Sequence, residues 1–137
     1  MKRVTSDSGL LDTLTADGYD FFTGVPDSGL RAFIDDLASL PGDRHIIATS
    51  EGEAVGIAAG QYLGGGRPCV YMQNAGLGNA INPLTSLCIP YDIKPLLVIG
   101  HRHTLPQHRV MGDVDDRLLE VIGWDNYILV CGENNEG

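Results

Sequence analysis

Residues 45–79 read HIIATSEGEAVGIAAGQYLGGGRPCVYMQNAGLGN. His45 to Ala48 is a short run with two β-branched residues, and Glu53 to Leu63 is a helical stretch rich in Ala and Gly. Small side chains there let a helix lie close against a neighbour. Gly64-Gly65-Gly66 ends that helix. Pro68 to Gln73 is a second apolar run, which passes through Asn74-Ala75-Gly76-Leu77-Gly78-Asn79 into another helical stretch reaching about Leu87. A strand, a helix and a second strand in this order are a crossover unit, which places the two strands parallel in one sheet.

The pattern extends in both directions. Upstream, Ser8 to Asp17 has Leu10, Leu11 and Leu14 on one side of a helix, and Tyr19 to Thr23 is a short aromatic strand. Gly24-Val25-Pro26-Asp27-Ser28 stops that strand, and Asp27 or Ser28 can cap a helix through Leu30, Phe33, Ile34 and Leu37 before a turn at Pro41-Gly42-Asp43. Downstream, Pro95 to Ile99 is continuously apolar, as in the centre of a parallel sheet. A polar segment follows, then a helix over Asp115 to Ile122 and a last strand over Tyr127 to Val130. Alternating strands and helices predict an α/β fold: a three-layer α/β/α arrangement with a mostly parallel sheet. One domain over residues 1–132 is expected, with 133–137 as a flexible tail.

The bulk properties agree with a single globular unit. The chain has 137 residues, 43% hydrophobic and 20% charged, enough for one core and too few for two. The formal net charge of -9 disfavours nucleic acid as a partner, because phosphate neutralisation needs a basic face. It says nothing against a small anionic substrate, which answers to local potential. Cys69, Cys88 and Cys131 stand at unrelated spacings without a C-x-x-C pair, so neither a disulfide framework nor a zinc site is supported. Three small thiols in a reducing cytoplasm are the plain reading. No apolar run approaches membrane-spanning length, and no signal peptide opens the chain; a soluble cytoplasmic protein is expected.

Ligands of an open parallel sheet bind beyond the carboxyl ends of its strands. Four segments occupy such ends: 24–28, 49–53, 73–79 and 100–107, and all four carry unusual residues. Read alone, Glu51 is a helix N-terminal carboxylate favoured by the dipole, Asp27 and Ser28 are helix caps, and the Gly76-Leu77-Gly78 loop is a strand-to-helix turn.

Taken together, these segments resemble a known family. Ser50-Glu51-Gly52-Glu53-Ala54-Val55-Gly56-Ile57-Ala58-Ala59-Gly60, the apolar strand after it, and Gln73-Asn74-Ala75-Gly76-Leu77-Gly78-Asn79-Ala80 are similar to the pyrimidine domain of thiamine-diphosphate enzymes. The nearest likeness is to the phosphonopyruvate and sulfopyruvate decarboxylases. Thr23-Gly24-Val25-Pro26-Asp27-Ser28 and Ile99-Gly100-His101-Arg102 extend it, so that it covers roughly residues 9–125.

The resemblance implies that fold, with thiamine diphosphate as cofactor, and it implies roles. Glu51 matches the acid whose carboxyl hydrogen-bonds the cofactor's aminopyrimidine and activates it. Glu53 is the competitor, but only Glu51 has the alanine three positions on (Ala54) and the glycine nine positions on (Gly60). Gln73, Asn74, Gly76 and Gly78 match the loop against the cofactor, with glycines where backbone approaches a ligand closely. Asn74 and Asn79 are plausible polar contacts there, or simply turn formers. His101, Arg102 and His103, with Gln107 and His108 beyond, are the candidates for binding an anionic 2-keto acid and moving a proton; His101 is the candidate catalytic group. Asp27 and Ser28 stand where the relatives place a polar residue near the reacting carbon. The match is clear through Arg102 and loosens after it.

A complete enzyme of this kind also needs a domain that binds the diphosphate, marked by Gly-Asp-Gly and later paired asparagines that hold magnesium. Gly112-Asp113-Val114 with Asn134-Asn135 imitates it, but the third glycine is absent and the spacing is short. No metal ligand is therefore assigned here. A β subunit is expected to carry that domain and the Mg2+, in a heterotetramer or larger assembly, with this chain as a natural short α subunit. The Val25-Pro26-Asp27-Ser28 stretch leans towards phosphonopyruvate, the two-chain organisation towards sulfopyruvate. A carboligating subunit and a non-catalytic module that keeps the fold are the alternatives.

Overall fold

The computed structural model describes residues 2–132. The tail expected over 133–137, and with it Asn134 and Asn135, lies outside the described residues.

Six strands form one sheet in the order β1-β6-β5-β4-β2-β3. They are β1 (Lys2–Val4), β2 (Phe21–Gly24), β3 (His45–Ile47), β4 (Pro68–Gln73), β5 (Leu96–Gly100) and β6 (Tyr127–Val130). All five pairings are parallel. Parallel neighbours require crossovers, and five α-helices provide them: α1 (Leu10–Ala16), α2 (Arg31–Leu37), α3 (Glu51–Leu63), α4 (Leu77–Pro83) and α5 (Pro106–Ile122).

The side-chain period of two divides the core between the two faces of the sheet. Cys69, Tyr71, Leu96, Val98, Ile128 and Val130 pack with α1 and α2, through Leu10, Leu11, Leu14, Phe33 and Leu37. Their neighbours Val70, Met72, Leu97, Ile99, Tyr127 and Leu129 pack with α3, α4 and α5 on the other face. The three-layer architecture is therefore as expected. β4 and β5, at the centre, are buried along almost their whole length.

Four details differ from the sequence reading. β1 is an unexpected edge strand, only three residues long and largely exposed, so it carries no hydrophobic pattern. Helix α3 begins at Glu51, with Ser50 as its cap, rather than at Glu53. The polar segment after β5 is mostly helix: α5 starts at Pro106, a favoured first-turn residue, and not at Asp115. Gln107 and His108 therefore stand on a helix and not in a loop. The helical stretch after the glycine loop is α4 followed by a widened turn over Leu84–Cys88, within which the structure departs from α geometry just after Pro83.

The topology fixes where a ligand would lie. After β2 the chain turns to the face carrying α2, and after β4 it turns to the face carrying α3, α4 and α5. β2 and β4 are neighbours, so the two loops leave adjacent strand ends in opposite directions and open a crevice.

Candidate active site

That crevice is a cleft of about 190 Å³. Val25 and Pro26 line it from the loop after β2, Gln73, Ala75 and Gly76 from the loop after β4, and Glu51 and Asn79 from the first turns of α3 and α4.

The two glutamates of α3 are separated by their hydrogen bonds. The Ser50 hydroxyl accepts from the Glu53 backbone N–H (3.1 Å), and the Glu53 carboxylate reaches back to accept from the Thr49 N–H and hydroxyl (both 3.0 Å). This reciprocal arrangement satisfies helix-end donors and occupies Glu53. Glu51 is half-buried and points into the cleft, where its Oε1 accepts from the Asn79 amide at 2.8 Å. Gly76 is the floor beneath it. A β-carbon at Gly76 would stand 2.5 Å from Glu51 Cγ and 2.8 Å from Cδ, so only glycine leaves room for this carboxylate.

Beside the cleft, a chain of polar contacts joins three strand ends. Gln73 Nε2 lies 3.0 Å from His108 Nδ1, and His108 Nε2 lies 3.4 Å from Arg102 Nη1. Arg102 pairs with Asp27 at 3.1 Å and donates to the Ser28 hydroxyl. Asp27 also caps the short turn over Ser28–Leu30 by accepting from the Gly29 N–H at 3.1 Å. Asp27 therefore caps the turn and pairs with Arg102 at the same time.

Deeper in, Asp115 of α5 is 1% exposed. Its Oδ2 lies 2.5 Å from His101 Nδ1 and accepts from Asn74 Nδ2 at 3.0 Å. Asn74 gives its other amide hydrogen to the Arg102 carbonyl at 2.9 Å. The ring of His103 stacks on that of His101, 6.2 Å between centroids, and bonds the Asp113 carboxylate at 2.6 Å.

Glu51, Gln73, Gly76 and Asn79 thus meet in one cleft, and Asp27, Ser28 and Arg102 form its flank. Three expectations change. Asn74 is 1% exposed with both amide hydrogens spent internally, so it faces away from the cleft that should hold a cofactor. Gly78 keeps its expectation, being exposed with open space where a β-carbon would stand. Arg102 is 8% exposed and its charge is answered by Asp27, which leaves it poorly placed to bind a substrate anion directly. His103 is half-exposed and turned to Asp113, the aspartate of the imitated metal motif, on the outer side of α5.

Asp115 was missed. A signal existed: it lies four residues before Leu119, on the buried side of α5, where an acid is out of place.

The cysteines are not activated as nucleophiles, because burial raises all three thiols. Cys69 and Cys88 are buried, and burial pushes both thiols up, Cys88 to about 11, which keeps them protonated and unreactive. Among the described residues, no helix is long and apolar enough to cross a membrane.

The family model described as the thiamine pyrophosphate enzyme N-terminal TPP binding domain matches residues 5–117. The chain is 41% identical over 117 residues to a phosphonopyruvate decarboxylase of Streptomyces viridochromogenes, which covers 82% of this chain and 30% of that protein. It is 33% identical over 127 residues to the sulfopyruvate decarboxylase subunit alpha of Methanothermobacter thermautotrophicus, 87% of this chain and 76% of that one. Against the corresponding subunit of Methanococcus maripaludis the identity is 38% over 109 residues, 77% of this chain and 65% of the relative. The chain therefore spans less than a third of the Streptomyces protein and about three quarters of the Methanothermobacter subunit.

Proposed function

Since this chain belongs to the thiamine pyrophosphate enzymes, as their N-terminal TPP binding domain, we propose that it is the α-type subunit of a two-chain decarboxylase acting on 3-phosphonopyruvate or 3-sulfopyruvate. One observation carries the reading: a half-buried glutamate, Glu51, lies against the bare backbone of Gly76 in a cleft at the switch point of the sheet.

The cleft suits an aminopyrimidine. Val25 and Pro26 offer an apolar wall, the missing side chain of Gly76 keeps the opposite wall flat, and Glu51 supplies a carboxyl group for a ring nitrogen. Asn79 holds that carboxyl in one orientation. Bound thiamine diphosphate supplies the electron sink that loss of carbon dioxide from a 2-keto acid requires. Glu51 would hold the ring by a hydrogen bond and favour a shift of its proton. Gln73 lies at the rim. His101, one residue beyond the end of β5, holds or delivers a proton. Asp27 and Ser28, steadied by Arg102, form the substrate side. The exposed Ser28 hydroxyl, which accepts from Arg102 and keeps its own proton to donate, is the polar group offered to an anionic head group.

The diphosphate and its Mg2+ fall to a β subunit, in an assembly of at least two chains of each kind, and the three unpaired cysteines suit the cytoplasm. The relatives named phosphonopyruvate decarboxylase and sulfopyruvate decarboxylase subunit alpha support this substrate class.

The test is to combine the chain with a diphosphate-binding partner, magnesium and cofactor, and to measure carbon dioxide release from phosphonopyruvate, sulfopyruvate and pyruvate. One of the first two substrates should be preferred, and Glu51→Gln should lower turnover by roughly two orders of magnitude or more while the chains still assemble. Near-normal turnover in that variant would remove the assignment.

A further inference from the structure

Three donors converge on one carboxylate. The Asp115 side chain receives His101 Nδ1 at 2.5 Å and Asn74 Nδ2 at 3.0 Å on Oδ2, and the backbone N–H of Asp116 at 2.7 Å on Oδ1. It is 1% exposed. Burying an acid is costly unless its oxygens are fully bonded, and an apolar residue on this side of α5 would pack at no such cost. The acid is therefore better explained by what it holds than by what it stabilises.

We infer that Asp115 is the positioning residue for His101, fixing the imidazole in the tautomer that carries its proton on Nδ1. The inference rests on the reading of the cleft as a cofactor site in which His101 handles a proton. Both oxygens of Asp115 act as acceptors here, so the bond to His101 requires an N–H on Nδ1. In the neutral ring this makes Nε2 the basic nitrogen. When Nε2 takes a proton, the imidazolium keeps its Nδ1–H on Asp115, and the carboxylate balances the new positive charge.

Asn74 completes the device. Its second amide hydrogen bonds the Arg102 carbonyl at 2.9 Å, so the backbone next to His101 is tied to the same point as the ring. Gly112 lets α5 come close enough: a β-carbon there would stand 2.5 Å from the Arg102 carbonyl oxygen and 2.8 Å from His103 Cα. The position is productive, because His101 follows Gly100, which is paired with Gln73 at the rim of the cleft. An asparagine cannot replace Asp115. It has a single acceptor oxygen, and its amide would confront either the Asp116 N–H or the His101 and Asn74 donors.

The direct test is a long-range 1H–15N correlation spectrum of the full chain at alkaline pH, with the His101 signal assigned by its loss in His101→Gln. The wild-type ring should show the Nδ1–H tautomer, and Asp115→Asn should convert it to Nε2–H or to a mixture. A wild-type ring protonated on Nε2 overturns the inference, and that spectrum decides the matter even if Asp115→Asn fails to fold. In the reconstituted enzyme, Asp115→Asn should lower kcat by about tenfold to a hundredfold, with KM changed by no more than about threefold. Full kcat in Asp115→Asn beside an inactive Glu51→Gln removes the positioning role alone. Full activity in Glu51→Gln removes the cofactor reading and leaves the tautomer result standing on its own.

Discussion

The Glu51 side chain lies across the α-carbon of Gly76, so closely that a β-carbon on the glycine would stand 2.5 Å from Glu51 Cγ. This contact ties the acid of α3 to the loop that opens α4, and it sets the floor of the cleft. Gly76→Ala should therefore push the carboxylate off Asn79. The cost depends on the acid being there, and in a Glu51→Ala background the same change should be nearly free. Denaturant unfolding of the four proteins should give a coupling of about 0.5–3 kcal/mol. An equal cost in both backgrounds would mean that something other than Glu51 selects glycine at this position.

The neighbouring acid has the opposite character. Glu53 accepts from the Thr49 N–H and hydroxyl, and the Ser50 hydroxyl accepts from the Glu53 N–H. Glu53→Ala should lower stability by about 1 kcal/mol through the loss of this cap, with the cleft unchanged. Glu51→Gln keeps shape and bonding capacity and should leave the melting temperature close to that of the wild type. Thermal melts of both variants separate the capping glutamate from the one proposed to act on the cofactor. If Glu51→Gln were the less stable of the two, the division of labour would be wrong.

Much of this arrangement was legible because local and global signals agree. Pro68 to Gln73 and Pro95 to Ile99 are apolar throughout, and the structure makes them the buried centre of the sheet. The choice of Glu51 over Glu53 rested on the resemblance, whose pattern Ala54 and Gly60 meet, and of the two acids it is Glu51 that lines the cleft. The first half of α5 was not legible. Its residues Pro106 to Val114 mix charge, Gly112 and isolated apolar positions, so no helical stripe stands out. Its His108 meets Gln73 at the end of β4, a contact between distant parts of the chain that no local pattern shows. Arg102 shows the same limit. On one sequence it is a loop cation ready for an anion, and only the fold brings Asp27 to it from the end of another strand.

That pair gives a third prediction. Both side chains are nearly buried, 9% exposed for Arg102 and 7% for Asp27. Arg102→Met leaves the Asp27 carboxylate without its cation and should cost about 3–5 kcal/mol. Adding Asp27→Asn should recover a large part of that loss, because the uncompensated charge is removed while the Gly29 N–H still has an oxygen to meet. Chemical unfolding of the two single variants and the double variant measures this. Strictly additive losses would show that the ion pair is incidental.

The last prediction concerns acid, and it arises at the edge of the sheet. His45 of β3 lies with its Nε2 2.7 Å from the Tyr71 hydroxyl. Burial lowers the His45 pKa from 6.5, and burial also pushes the Tyr71 hydroxyl up, to about 12, so a protonated phenol and a neutral imidazole share this hydrogen bond. In the unfolded chain the same histidine takes up a proton as the pH falls through 6.5, ahead of the folded form. Between those two titrations the unfolded state binds more protons. The stability carried by neutral His45 is therefore fully present above 6.5 and is lost as the pH falls below it towards the lower folded value. His45→Gln keeps a partner for the phenol and has no such titration. Between about pH 7.5 and about pH 5.5 the wild type should lose more of its melting temperature than His45→Gln does. The comparison cancels every group common to both proteins, and equal slopes would place the acid sensitivity elsewhere.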